Sequence, residues 1–275
     1  MLVTLKDLLN QYLEKDAIVG AFNATCFYDA KPIIRAAEKM NAPVIIGVSP
    51  LAAKTIELGE WSLLLRDIAE KSSIPICLHL DHGRRIEDVK KAVDVGFPSV
   101  MFDGSQLPYE ENVAITKEVV EYAHPKGVSV EAEIGSVAYT GNEAVKAILS
   151  DPDVTANFVA DTGIDAVAVA VGTLHQMKQQ GARVDFDLIK KIEEKVSIPL
   201  VIHGASGLLN EEIIKLRSTR VCKMNIGTAL RLAFNNSLRK SLDENQSNHN
   251  YTELLDAPMQ AVEEVVLGKL ELLGF

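Results

Sequence analysis

Pro75-Ile76-Cys77-Leu78-His79-Leu80-Asp81-His82 is an apolar run that ends in an acid and an imidazole. It is short, follows a proline and carries few polar residues, which suits a strand buried on both faces. The pattern recurs. Pro199-Leu200-Val201-Ile202 leads into His203-Gly204, and the run Val167 to Val171 is followed by His175. If these strands lie side by side, their exits bring together three histidines, with a carboxylate next to one of them. Three imidazoles and one open position form the donor set of a metal-assisted enzyme, and neutral imidazoles suit zinc. Any one of these histidines alone reads as a hydrogen-bonded core residue. Three at the ends of three strands favour a site.

Working outward, β-rich runs are expected at Ile18–Phe22, Val44–Val48, Ile76–Leu80, Ser99–Phe102, Val128–Ile134, Ala166–Val171, Leu200–His203 and Val221–Asn225. Amphipathic stretches fill the intervals, among them Ala30–Lys39, Ile86–Val95, Asn112–Ala123, Phe186–Lys195 and Glu211–Leu216. Eight strands alternating with helices predict an α/β fold, a (β/α)₈ TIM barrel. Pro43, Pro75 and Pro199 each stand just before a strand, where a helix must already have ended. No Ser/Gly linker or low-complexity segment divides the chain, so residues 1–275 read as one domain. A polar connector at Asp243–His249 precedes a largely helical tail from Asn250 to Phe275.

The 275 residues are 47% hydrophobic, enough for one large core, and the formal charge of −10 argues against a nucleic-acid or anionic-membrane surface. A local cradle can still bind a phosphorylated substrate. Cys26, Cys77 and Cys222 are odd in number, widely spaced and set in or beside apolar runs, as expected for reduced thiols of a cytoplasmic protein. The amino terminus carries neither a signal-peptide pattern nor a membrane span.

Strand parity sharpens the site. Residues two apart share a face, which pairs His79 with Asp81, Met101 with Asp103, Glu131 with Glu133, Val201 with His203 and Lys223 with Asn225. Val130, Ala132 and Ile134 then face the helices. His79 lies a layer below Asp81 and reads as a packed or supporting imidazole, whereas His124 and His249 read as surface residues. Asp81 is placed to move a proton near a bound carbonyl or to orient a ligand. Being one position from His82, it is expected to point a different way. Glu133 is a further metal contact or orients a ligand, and Glu131 anchors a neighbouring strand. Gly204-Ala205-Ser206-Gly207 and Asn225-Ile226-Gly227-Thr228 follow the seventh and eighth strands, the usual phosphate site of this barrel. Such glycines also serve tight turns alone.

Six motifs together carry a family resemblance. Leu78-His79-Leu80-Asp81-His82-Gly83, Ser99-Val100-Met101-Phe102-Asp103-Gly104-Ser105, Val130-Glu131-Ala132-Glu133-Ile134-Gly135, Gly172-Thr173-Leu174-His175, His203-Gly204-Ala205-Ser206-Gly207 and Lys223-Met224-Asn225-Ile226 resemble the class II, metal-dependent ketose-bisphosphate aldolases, most closely the fructose- and tagatose-bisphosphate branch. They occur in family order and cover nearly the whole chain. The resemblance implies reversible cleavage of a ketose (bis)phosphate to dihydroxyacetone phosphate and an aldehyde through a zinc-stabilised enediolate. It implies His82, His175 and His203 as zinc ligands, Glu133 beside the metal and Asp81 as the proton-transferring residue. Gly204, Ser206, Asn225, Gly227 and Thr228 match the phosphate cradle, and Asn23 and Ser49 the substrate lining. Zn²⁺ is the implied cofactor, with a monovalent cation near the phosphate as a further candidate. A homodimer or homotetramer is the implied assembly.

The chain departs from the family in two places. Gln176 follows His175 where the family usually has glycine, and Met177-Lys178-Gln179-Gln180 replaces a tyrosine-lysine-glycine segment. After Gly135, the family's Gly-Gly-x-Glu-Asp loop, which supplies a second acid/base glutamate, is replaced by Ser136-Val137-Ala138-Tyr139-Thr140-Gly141-Asn142-Glu143. Direct counting puts Gly141 at the glutamate, so Glu143 is the catalytic candidate if the loop shifts. Two alternatives remain at this point: a zinc barrel hydrolase in which Asp81 activates a metal-bound water, and a non-catalytic sugar-phosphate-binding relative.

Overall fold

Eight parallel strands, β1 (Val19–Ala24), β2 (Val44–Val48), β3 (Ile76–Gly83), β4 (Ser99–Phe102), β5 (Ser129–Ile134), β6 (Ala166–Val169), β7 (Leu200–Ile202) and β8 (Val221–Ile226), pair in sequence order and close through β8 onto β1. The computed structural model describes residues 1–141 and 147–275. The barrel is the one expected. Strand bounds shift by a few residues: β6 ends at Val169 instead of Val171, and β3 runs on through His82 to Gly83.

Two apolar layers follow from the period of two. Val130, Ala132 and Ile134 face outward with Val167, Val169, Ile202 and Met224, packing against the helices. Helix Ile86–Asp94 offers Val89, Ala92 and Val93 to this layer, a spacing of three and four residues that makes one face. The inner layer holds Val19, Ala21, Ile45, Cys77, Met101, Ala166, Ala168 and Val201. Its floor was not anticipated from the sequence. Helix Leu5–Asn10 places Leu5, Leu8 and Leu9 against that layer and plugs the bottom of the barrel, its first turn capped by Thr4. Two further helices complete the crossovers. Leu58–Lys71 opens with a capping box from Glu57 and Glu60. Pro152–Thr162 is capped by Asp151 and stopped by Gly163 in the left-handed region.

The middle of the barrel is polar. His79 Nδ1 lies 2.7 Å from Ser99 Oγ, and Lys223 Nζ lies 2.8 Å from Glu131 Oε2, all four side chains being buried. Cys77 and Cys222 are buried, Cys26 is half-buried, and all three are free thiols. The tail helix Asp256–Leu273 packs on Phe27–Lys39 and Thr228–Glu244, with Val262, Val266, Leu270 and Leu273 inward. Among the described residues, no helix is long and apolar enough to cross a membrane.

Candidate active site

At the C-terminal mouth of the barrel the structure brings His82, His175 and His203 together, with one ring nitrogen of each within 4.8 Å of the others. The His175 ring stands edge-on to both partners, with centroids 5.1 Å from His82 and 6.0 Å from His203.

The expectation that Asp81 and His82 point apart is corrected. β3 pairs Leu80 with Val100 and then Gly83 with Phe102, so β3 has one more residue than β4 over this stretch. That bulge puts His82 at φ 55°, a conformation uncommon for a residue with a side chain, and turns its imidazole to the mouth that Asp81 also faces. Parity fails where the ladder carries an extra residue.

Two of the three histidines have a carboxylate partner. His82 Nδ1 lies 3.0 Å from Asp103 Oδ2, and His203 Nε2 lies 2.9 Å from Glu131 Oε1. Carboxylates accept, so these nitrogens carry protons, and in the neutral rings the opposite ones bear lone pairs. Those opposite atoms, His82 Nε2 and His203 Nδ1, face each other at 2.8 Å. A proton on one of the two satisfies the pair, and so does a divalent ion held with His175. The charges agree. Burial alone would lower the His82 pKa, but the Asp81, Asp103 and Glu133 carboxylates raise it to about 9, a field that favours any cation there. His175 is lowered to about 3 by burial and by the other two histidines.

Glu131 does more than anchor a neighbouring strand. It reaches across the barrel to Lys223 on β8 and His203 beyond β7. Burial pushes its carboxyl upward, and Lys223 with the histidines outweighs this and keeps it ionised. Glu133 falls in a second group with His82 and Asp103, sharing only His82 with the three-histidine group. Its carboxyl accepts from the Val137 N–H at 3.2 Å and is raised to about 8, first by burial and then by Asp103.

Asp81 is buried and clamped on both oxygens, by Asn23 Nδ2 at 2.6 Å and Asn225 Nδ2 at 2.8 Å. Burial raises its pKa, but His82, His203 and Lys223 outweigh that and hold it well below the usual carboxylate range. Asn23, Ser49, Asp81 and the three histidines line a single cavity of about 1590 Å³. Gly204, Ser206, Asn225, Gly227 and Thr228 line it too. Gly204 has φ 71°, and a Cβ there would sit 2.6 Å from Leu174 O, so only glycine lets β7 exit against the His175 loop. Ser206 Oγ accepts the Ala229 N–H at 3.3 Å and so joins this turn to the first turn of helix Thr228–Glu244. Its own proton stays free for an anion at the positive end of that helix.

Glu143 lies outside the described residues. The sequence reading assigned no role to Arg84, Tyr139 or Asp103. Parity had turned Asp103 inward, but its contact with His82 depends on the β3 bulge. Tyr139 stacks on His175, a contact that loop sequence does not announce.

Gln176 has φ 60°, the left-handed region where the family carries glycine. A side chain there costs roughly 1–2 kcal/mol, partly offset by the greater chain entropy that glycine loses on folding. Gln176→Gly is therefore expected to raise the melting temperature slightly and to leave dihydroxyacetone phosphate binding unchanged or tighter. A thermal melt beside a ligand titration checks both, and a lower melting temperature would show that the glutamine side chain outweighs its backbone.

Clustered imidazoles, a clamped carboxylate and a small-residue cradle at the exits of a closed barrel define an enzyme of the metal-binding barrel class. Residues 3–275 match the family model for fructose-bisphosphate aldolase class-II. The chain is 36% identical over 280 residues to fructose-bisphosphate aldolase of Geobacillus stearothermophilus, covering 99% of this chain and 97% of that one. It is also 36% identical over 281 residues to fructose-bisphosphate aldolase of Staphylococcus aureus, again covering 99% and 97%. Among solved structures, the YdjI aldolase of Escherichia coli superposes with a TM-score of 0.86 at 33% identity, covering 100% of this chain and 98% of that one. Fructose-bisphosphate aldolase of Campylobacter jejuni, with a TM-score of 0.84, 21% identity and coverage of 99% and 95%, shares the fold. The chain belongs to the class II fructose-bisphosphate aldolase family. It is a class II aldolase, a carbon–carbon lyase. Both alternatives left open by the sequence, hydrolase and non-catalytic binder, give way to this assignment.

Proposed function

We propose that the enzyme cleaves a ketose phosphate, a fructose- or tagatose-bisphosphate being the class its family name suggests, into dihydroxyacetone phosphate and an aldehyde, and catalyses the reverse condensation. The close pairing of His82 and His203 with His175 beside the clamped Asp81 carries this reading. His82, His175 and His203 would hold the ion, with zinc favoured by an all-imidazole donor set, and Glu133 supports the site from beside His82. A bound divalent ion supplies Lewis acidity, drawing charge onto oxygen as the carbon–carbon bond breaks.

The rest is done by the chain's own groups. Asp81, kept in its accepting form, takes the C4 hydroxyl proton in cleavage and passes it on rather than keeping it. Asn23 and Asn225 fix its orientation. Gly204, Ser206, Gly227 and Thr228 bind the phosphate of the donor half, and Ser49 lines the same cavity. Glu143 is retained as a second acid/base candidate by its nearness in sequence to the family glutamate. The acidic charge, free thiols and metabolic relatives support a cytoplasmic enzyme whose 275 residues act as one catalytic unit. The family supports a homodimer or homotetramer.

A turnover assay on ketose phosphates, paired with a ligand titration, tests the reading. Dihydroxyacetone phosphate should bind well and unphosphorylated dihydroxyacetone poorly. Ser206→Ala should weaken the phosphorylated ligand alone, by about 1–3 kcal/mol for a lost bond to a charged group. Equal affinity of the parent protein for both ligands would reject the cradle.

A further inference from the structure

The segment after β5 carries a side chain whose chemistry is still unassigned. Tyr139 is half-buried in the cavity wall, its ring stacked on the His175 imidazole with centroids 4.6 Å apart and planes 25° apart. Its backbone is tied to the segment after β6. The His175 N–H donates to Ala138 O at 2.8 Å and the Thr140 N–H to His175 O at 3.0 Å, making a parallel bridge between Tyr139 and His175. Thr140 Oγ1 donates to the same carbonyl at 2.9 Å. The phenol is thus fixed relative to the histidine group before any substrate arrives.

Arg84 meets the phenol from β3. Its Nη2 lies 3.4 Å from the Tyr139 oxygen, while its Nε donates to Asp103 at 3.2 Å. A guanidinium can only donate, so the phenolic oxygen is the acceptor in this pair and its own O–H is left for the cavity. The same guanidinium opposes the burial and the Asp103 and Glu133 carboxylates, which together raise the phenol's pKa. The family's loop glutamate falls, by direct counting, at Gly141, two residues beyond this tyrosine.

We propose that Tyr139 moves the proton at the donor carbon of the aldol reaction, with Arg84 holding its phenolate. This rests on the ketose-phosphate reading. In cleavage, Asp81 takes the C4 hydroxyl proton and the C3–C4 bond breaks. The electron pair stays on the donor half as an enediolate, and the phenol O–H breaks as a C3–H bond forms. The phenolate then regains a proton from water, and Asp81 releases its own. Condensation runs the same steps backward, the phenolate first removing a proton from dihydroxyacetone phosphate.

The isolated donor half-reaction tests this. Dihydroxyacetone phosphate is incubated with metal-loaded enzyme in deuterium oxide without aldehyde, and loss of the C3 proton signal is followed by NMR. Tyr139→Phe keeps the ring stack and removes only the hydroxyl. Its exchange should fall on the order of 10²–10⁴-fold, with metal content, dihydroxyacetone phosphate affinity and circular dichroism unchanged. Parent-rate exchange in Tyr139→Phe overturns the proposal. Ketose phosphate cleavage by the parent protein tests the underlying reading separately.

Discussion

Asp81→Ala retains its metal and its affinity for dihydroxyacetone phosphate but loses on the order of 10²–10⁴ in turnover, the range of a displaced general acid/base. The carboxylate stands outside the three-imidazole group and is held by amides from two other strands, Asn23 on β1 and Asn225 on β8. Its removal therefore subtracts a proton carrier and leaves the imidazoles in place. Hydrogen exchange at the donor carbon should survive better than cleavage, since Asp81 serves the aldehyde oxygen. His203→Ala is the contrast, because it deletes an imidazole of the group and leaves Glu131 without its histidine partner. That variant should lose most of its metal as well as its activity. Steady-state cleavage with elemental analysis of both proteins decides the matter. A near-parental rate for Asp81→Ala would withdraw the role assigned to it.

Lys223→Met should destabilise the barrel by about 3–5 kcal/mol, the cost of removing one partner from a buried ion pair. Lys223 and Glu131 are both fully buried, and their contacts at 2.8 and 3.1 Å compensate the carboxylate's lost hydration. Without the ammonium, Glu131 favours its neutral form and no longer presents a full charge to His203, so metal affinity should fall too. Adding Glu131→Gln removes the unpaired charge but keeps an acceptor for His203, and should recover much of the stability. Denaturant unfolding of the single and double variants measures both effects. A single variant as stable as the parent would show that this pair contributes nothing to the fold.

The barrel was legible because its strands are short apolar runs separated by helical spacing, a signal that survives shifts of a few residues at strand ends such as those of β3 and β6. The site was legible as far as residues end up at strand exits, which is why His82, His175, His203 and the glycine turns could be named from the chain. What escaped depends on register and loop path. The His82 bulge leaves no mark in Asp81-His82-Gly83 that strand parity can read. The bond from Asp103 to His82 needs both that bulge and the β3–β4 pairing. Tyr139 meets His175 through a bridge between two loops, and loops carry no periodicity. The plugging helix Leu5–Asn10 did carry its signal, leucines spaced by three and four, but it has no strand before it and so falls outside a strand-counting scheme.

The extra residue in β3 also governs motion. Neighbouring Cα atoms in a trans chain stay about 3.8 Å apart, so Asp81 and His82 are joined by one rigid peptide plane. Loops and helices can drift by ångströms relative to one another, but these two side chains can differ only through their own torsions. Asp81 is pinned at both oxygens, and the His82 ring is pinned through Nδ1. The proton acceptor and the imidazole therefore fluctuate as one body. Substrate that docks against one therefore meets the other at a spacing the chain already sets.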